Sequence, residues 1–151
     1  MLRLIELEKD LLLMTNRTIT DPYISAVRCV RRLANEYERH GSLYVAFDFD
    51  NTVYDYHNQG FVFERVEKIL KECKKYGFRL VLFTAKETQS EIDKCVAYCA
   101  ERGYEPDYVN ECPVMNTSKP YYNILLDDRA GLQSALYILE EVINLIKYGD
   151  L

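Results

Sequence analysis

The stretch Leu43-Tyr44-Val45-Ala46-Phe47-Asp48-Phe49-Asp50-Asn51-Thr52-Val53-Tyr54-Asp55 decides how this chain is read. An apolar run of this length, bounded by Gly41 and by a polar segment, predicts a buried strand over 43–48. It ends in Asp48 and Asp50, with Thr52 just beyond. Side chains two apart on a strand point the same way, so the two carboxylates emerge side by side where the strand stops. Two such charges repel, and one pKa rises unless a cation sits between them. A solvated turn is the plain alternative, and the apolar Leu43–Phe47 run argues against it.

Working outward, the same unit recurs. Thr20 or Asp21 is expected to cap a helix with Pro22 in its first turn, burying Ile24, Val27, Val30, Ala34 and Tyr37 and stopping at Gly41. Residues 61–76 carry Val62, Val66, Ile69, Leu70 and Cys73 on one face, followed by Gly77 and an apolar strand Phe78–Phe83 that ends at Thr84. Residues 88–102 carry Ile92, Cys95, Val96 and Cys99, followed by Gly103 and a weaker strand at Tyr108-Val109. A fourth strand, Tyr122–Leu126, runs into Asp127-Asp128, and Leu132, Leu136, Leu139, Ile143 and Ile146 mark a closing helix. Glycine suits the left-handed position after a helix, which is why it stands at the helix-to-strand switches. Strands alternating with helices mean an α/β fold, a parallel sheet with helices on its faces. Ligands bind beyond the carboxyl ends of such strands, and three of the four predicted ends carry Asp48/Asp50, Thr84 and Asp127/Asp128.

With 151 residues the chain holds one domain: an N-terminal helical extension over 1–40, a core over 43–131 and a closing helix over 130–148. The net charge of −5 argues against a large basic nucleic-acid surface, so nucleic acid is expected only as a substrate. The cysteines Cys29, Cys73, Cys95, Cys99 and Cys112 are odd in number and form no Cys-x-x-Cys pair. With only His40 and His57 beside them, zinc is not expected, and reduced thiols are. Leu4, Leu7, Leu11 and Met14 predict an amphipathic helix over 2–14, interrupted by Glu6, Glu8, Lys9 and Asp10 as a signal peptide would not be. No stretch approaches a membrane span, and a cytoplasmic location is expected.

Four carboxylates gathered at one sheet edge with few balancing cations form a hard oxygen site, suited to Mg²⁺. The Thr84 hydroxyl and the Lys119 ammonium complete a set that suits phosphate. Asp48 stands where a carboxylate can attack phosphorus, and Asp50 where one can protonate a leaving oxygen and then activate water.

Asp48-Phe49-Asp50-Asn51-Thr52 resembles the Asp-x-Asp-x-Thr motif of the haloacid dehalogenase-like superfamily. Thr84 after Val81-Leu82-Phe83 resembles its second motif, Lys119 stands where the third places a basic residue, and Leu125-Leu126-Asp127-Asp128 is similar to the paired-acid form of the fourth. All four occur in the family's order across residues 43–131. The resemblance implies a Rossmann-like three-layer α/β/α sandwich with a mainly parallel sheet and no large cap domain. It further implies an Mg²⁺-dependent phosphatase acting through an aspartyl-phosphate on Asp48. Asp50 would be the general acid/base, with its backbone carbonyl on the metal, and Asp at this position marks the phosphatase branch. Asn51, Thr52, Thr84 and Lys119 would surround the phosphate, Thr52 also positioning Asp50. Asp48, Asp50, Asp127 and Asp128 would hold Mg²⁺.

The chain departs from the family pattern at two places. Asn51 replaces the usual glycine, and Asn tolerates left-handed conformations. Lys119 lies close before Asp127, and Lys86, two residues beyond Thr84, competes with it for the basic role. Neither intermotif gap has room for a cap, so residues 53–60 would form a small flap beside an open site. Such a site suits a phosphorylated small molecule covered by a neighbouring subunit, or the end of a phosphorylated macromolecule. The acid pair followed by Arg129 is also similar to the phosphatase domain of polynucleotide kinase–phosphatases and to small capless bacterial and phage phosphatases.

Other residues have plainer readings. His57 reads as a loop histidine, Cys95 and Cys99 as core, and Arg28, Arg31 and Arg32 as a solvated helix face. Tyr54, Tyr56, Tyr121 and Tyr122 either line the site mouth or reflect a chain with 13 tyrosines. Two other function classes remain. A receiver-type signalling domain shares the residue types, but its acid pair and phosphorylated Asp come in the opposite order. A catalytically silent binding or scaffold protein would engage a partner, or a second copy, through helix 2–14.

Overall fold

The computed structural model describes residues 20–115 and 117–151. The helix expected over 2–14 lies outside the described residues. A single 3-10 turn, Pro22–Ile24, precedes α1 (Ala26–His40), β1 (Tyr44–Asp48), α2 (Glu64–Lys75), β2 (Arg79–Phe83), α3 (Gln89–Glu101), β3 (Tyr108–Val109), β4 (Ile124–Leu126) and α4 (Leu132–Tyr148). The fold is the expected one: among the described residues, a four-stranded, wholly parallel sheet is flanked by four helices in a Rossmann-like arrangement. Among the described residues no helix is long and apolar enough to cross a membrane.

Two helix starts differ from the sequence reading, each for a local reason. Asp21 adopts a left-handed φ of 48° and opens only the 3-10 turn. Ser25, extended at φ −70° and ψ 122°, is the true cap of α1, its hydroxyl accepting from the Arg28 N–H at 3.4 Å. A serine able to hold that first-turn N–H ends the 3-10 turn and starts a new helix. Residues 61–63 stay outside α2, and Val62 is 76% exposed rather than core. The Asp55 carboxylate accepts from the N–H groups of Gly60 (2.7 Å) and Phe61 (3.1 Å) and holds that segment in a turn. α3 begins as its sequence predicts, at a reciprocal capping box between Thr88 and Glu91.

The strand order is β3-β2-β1-β4. β1 pairs with β2 from Tyr44↔Arg79 to Asp48↔Phe83, and with β4 from Val45↔Ile124 to Phe47↔Leu126. The carboxyl ends of these three strands are therefore level. The chain runs outward from β1 through β2 to β3 and then returns to β1's other side, so the strand order reverses between β1 and β4. Parallel sheets open a crevice at such a switch point, and Asp48 and Asp127 flank this one.

What fixes the strands is burial. Val45, Phe47, Leu80, Leu82 and Leu126 have no exposed surface and pack with Val30 and Leu33 of α1, Leu70 and Cys73 of α2, and Leu139 and Val142 of α4. Each such side chain contributes about 1.5–3 kcal/mol. Asn123, 8% exposed, locks β1 to β4 from the amino end: its N–H donates to the Tyr44 carbonyl (2.8 Å), and its Oδ1 accepts from the Tyr44 N–H (2.6 Å). Its Nδ2 donates to Glu36 of α1 at 2.6 Å. Arg32 of α1 pairs with Glu36 (2.9 Å) and donates to the Asn123 carbonyl (3.2 Å), so it is part of this lock rather than a solvated face. All five cysteines are free thiols, and Cys95 and Cys99 are core as expected.

Candidate active site

β1 runs directly into a tight turn that carries the acid pair. The Phe49 carbonyl accepts from the N–H groups of Thr52, Val53 and Tyr54 at 3.1–3.3 Å. Asn51 takes a left-handed φ of 60°, and its N–H donates to the Tyr54 carbonyl at 2.7 Å. Asparagine thus does what glycine would do here, and its backbone N–H is already engaged. Phe49, 5% exposed, anchors the turn by stacking on Tyr54 at 5.1 Å, with Tyr98 of α3 edge-on to both rings.

Asp48, Asp127 and Asp128 each offer a carboxylate oxygen, and these lie within 4.8 Å of one another. Among the described residues no Lys or Arg pairs with any of the three. Burial, then the Asp127 and Asp128 charges, push the Asp48 pKa up to about 6, against hydrogen bonds from the Phe49 backbone and Thr52. A cluster of hard oxygens that raises its own proton affinity is the donor set a divalent cation such as Mg²⁺ relieves, so these residues fit that ion.

Thr52, wholly buried, ties the two strand ends together. Its Oγ1 donates to Asp48 Oδ2 at 3.3 Å and accepts from the Asp128 N–H at 3.1 Å. The resemblance assigned Thr52 to Asp50; the hydroxyl instead holds Asp48 and the loop after β4. Asp127 is oriented from its other side, Oδ1 accepting from the Arg129 N–H at 2.8 Å.

The Asp50 carboxylate stands apart from the acid cluster. Its Oδ2 pairs with Lys86 Nζ at 2.9 Å, while its Oδ1 is buried without a hydrogen-bond partner. The Asp50 carboxylate in turn raises the Lys86 pKa, keeping the ammonium charged. Lys86 Nζ also lies 5.2 Å from the centre of the Tyr56 ring, a cation–π contact that brings the 53–60 segment over the lysine. His57 stands edge-on to Tyr56 at 5.0 Å. Lys119 is exposed, and its carbonyl accepts from the Thr117 hydroxyl at 2.8 Å. Among the described residues it joins no ion pair. Of the two competing lysines, the geometry brings Lys86 to the acid pair.

Thr84 follows β2, half-buried, its Oγ1 accepting from the Lys86 N–H at 3.2 Å. Of the four tyrosines, Tyr56 is the one whose ring contacts Lys86. Tyr54 belongs to the Phe49 cluster, Tyr121 packs with Tyr44 and bonds Asn123, and Tyr122 packs edge-on against Phe83. The gaps between motifs are short: residues 49–63 join β1 to α2, and from Thr84 to Lys119 the chain passes through α3 and the two-residue β3 into the segment that leads to β4. Sequence reasoning missed Asn110 and Asn123. Both act through side-chain amides on a neighbouring backbone, which no periodicity or charge pattern marks.

Neither a protein-family model nor a curated protein matches the sequence. Among solved structures, that of a conserved protein from Bacteroides thetaiotaomicron is similar, with a TM-score of 0.53 and 23% identity over 72% of this chain and 92% of that one. The likeness speaks to the fold: a second chain of low identity takes up a comparable arrangement.

Proposed function

We propose that this chain is an Mg²⁺-dependent phosphomonoester hydrolase of the haloacid dehalogenase-like type, working through an aspartyl-phosphate on Asp48. The observation that carries the reading is the separation of two kinds of carboxylate at one sheet edge. Asp48, Asp127 and Asp128 converge without a protein cation, and Asp50 is held apart on Lys86. Converged acids suit a metal, and a separated acid suits proton transfer.

Asp48 and Asp50 then divide the work. Mg²⁺, held by Asp48, Asp127 and Asp128, would neutralise phosphate oxygens and keep Asp48 ionised near neutral pH. An Asp48 oxygen attacks phosphorus and the bond to the ester oxygen breaks; Asp50, released from its ion pair as Lys86 turns to the phosphoryl oxygens, enters this step with a proton and gives it to that oxygen. The Asp50 carboxylate then takes a proton from water, which attacks the aspartyl-phosphate and releases phosphate and free Asp48. Thr84 O–H and the Lys86 ammonium supply donors for the phosphoryl oxygens. Thr52 holds Asp48 in line.

The test is direct. Purified protein with Mg²⁺ should release phosphate from p-nitrophenyl phosphate, or from a 3′- or 5′-phosphorylated oligonucleotide or metabolite. EDTA and Asp48→Asn should each stop it. Full turnover by Asp48→Asn would overturn the mechanism, and inactivity of the wild type on every phosphomonoester class would overturn the function.

A further inference from the structure

β3 consists of only Tyr108 and Val109, yet its pairing with β2 continues one residue further by other means. The Asn110 N–H donates to the Leu82 carbonyl at 2.8 Å, the last backbone rung. Asn110 then turns left-handed, at φ 55°, and the chain leaves the sheet. Its side chain takes over the ladder: Oδ1 accepts from the Thr84 N–H at 2.8 Å, and Nδ2 donates to the Thr84 carbonyl at 3.0 Å. The orientation of the amide is fixed by its partners, since one is a donor and the other an acceptor. Both peptide groups of Thr84 are thereby held as in a strand, although no neighbouring strand reaches them.

We propose that Asn110 is a positioning residue for Thr84, aiming the threonine hydroxyl at the phosphoryl group; this rests on the phosphatase reading of the site. Fixing the N–H and C=O of one residue fixes its φ and ψ, and with them the direction of the Cα–Cβ bond. The Lys86 N–H, bonded to Thr84 Oγ1 at 3.2 Å, occupies one acceptor site of the hydroxyl and leaves its proton to point away. Asn110 and the Lys86 peptide together define where that proton goes. The clamp is solvent-exposed, so it contributes little to stability. What it contributes is geometry, and a displacement of about 1 Å at a reacting centre can lower rates by about 100-fold.

Asn110 has a second, purely conformational reason to be there, its positive φ. Asn110→Gly separates the two, because glycine keeps the left-handed turn without strain and deletes only the clamp. Turnover of p-nitrophenyl phosphate with Mg²⁺ is compared among wild type, Asn110→Gly, Thr84→Ala and the double variant, with Tm measured for each. The expected result is a kcat reduced about 10-fold or more in Asn110→Gly, with Tm near wild type. In the Thr84→Ala background the same change should lower kcat no more than about twofold, because the group it aims is gone. Wild-type kcat in Asn110→Gly would overturn the role, as would its full loss repeated in the Thr84→Ala background. An inert wild type would instead sink the phosphatase reading, and this role with it. If Asn110→Gly does not fold, Asn110→Asp enters the same cycle, keeping the acceptor for the Thr84 N–H and removing the donor to its carbonyl.

Discussion

Lys86 Nζ lies 2.9 Å from Asp50 Oδ2, and this pair is the single Lys–Asp link among the described residues that reaches the strand-end acids. It gives Asp50 an electrostatic partner that Asp48, Asp127 and Asp128 lack. It also orders the two candidate lysines. Lys86 follows Thr84 along a short, anchored segment, whereas Lys119 sits on the exposed 117–120 turn.

Lys86→Ala is therefore expected to lower kcat/KM by about 10²-fold or more, in the range for removal of one charge-stabilising donor. Lys119→Ala should stay within about twofold of wild type, as surface substitutions away from the site do in stability. Steady-state kinetics of the two variants decide it. A large loss on Lys119→Ala with none on Lys86→Ala would return the basic role to the later lysine.

Much of this was legible in the chain. An apolar run ending in Asp-x-Asp-x-Thr specifies a buried strand and what stands at its end, because burial and the two-residue period act locally. Helix starts were less legible where a side chain captured a backbone N–H. Ser25 and Asp55 each moved a boundary in this way. The placement of Lys86 and the real partner of Thr52 depend on how β1, β2 and β4 come level. That is a property of register, which sequence spacing alone does not carry. Asn110 and Asn123 look like ordinary loop asparagines until the neighbouring strand is in place.

Thr52 is buried and its hydroxyl serves two residues at once, so Thr52→Val removes both bonds with almost no change of shape. The Asp128 N–H loses its acceptor and Asp48 Oδ2 loses a donor. The expected loss is about 1–3 kcal/mol of stability, with weaker Mg²⁺ binding. Chemical denaturation and calorimetric titration with MgCl₂ measure the two effects. An unchanged Mg²⁺ affinity would show that Thr52 does not organise the acid cluster.

Asn123 ties β1, β4 and α1 through the Tyr44 peptide and Glu36. Asn123→Ala strips the part-buried Tyr44 N–H of its acceptor and removes the bond to Glu36, and should cost about 1–2 kcal/mol, the range for an unsatisfied group that keeps some access to water. Urea unfolding should shift its midpoint without changing the m-value. Because Asn123 lies at the amino end of β4, Mg²⁺ affinity should change little.

The raised pKa of Asp48 gives a stability signature that needs no substrate. Its value in the fold is about 6, against an ordinary 3.8, with burial as the main cause and Asp127 and Asp128 adding to it. Between those two values the folded state holds a proton that the unfolded state has released. A carboxyl with a raised folded pKa favours folding below about pH 4, and that advantage is lost as pH rises through about 6. Metal-free protein should therefore lose Tm over this window. Asp48→Asn should flatten the slope and exceed wild type near pH 7, since no charge is then forced beside Asp127. Mg²⁺ should reverse the order, raising the wild-type Tm at pH 7 and leaving Asp48→Asn nearly unmoved, because the ion binds the folded acids that repel one another in its absence. Thermal melts at pH 4, 5, 6 and 7, with EDTA or with MgCl₂, resolve both effects. A wild type whose Tm is indifferent to Mg²⁺ at pH 7 would refute the metal centre at these three aspartates.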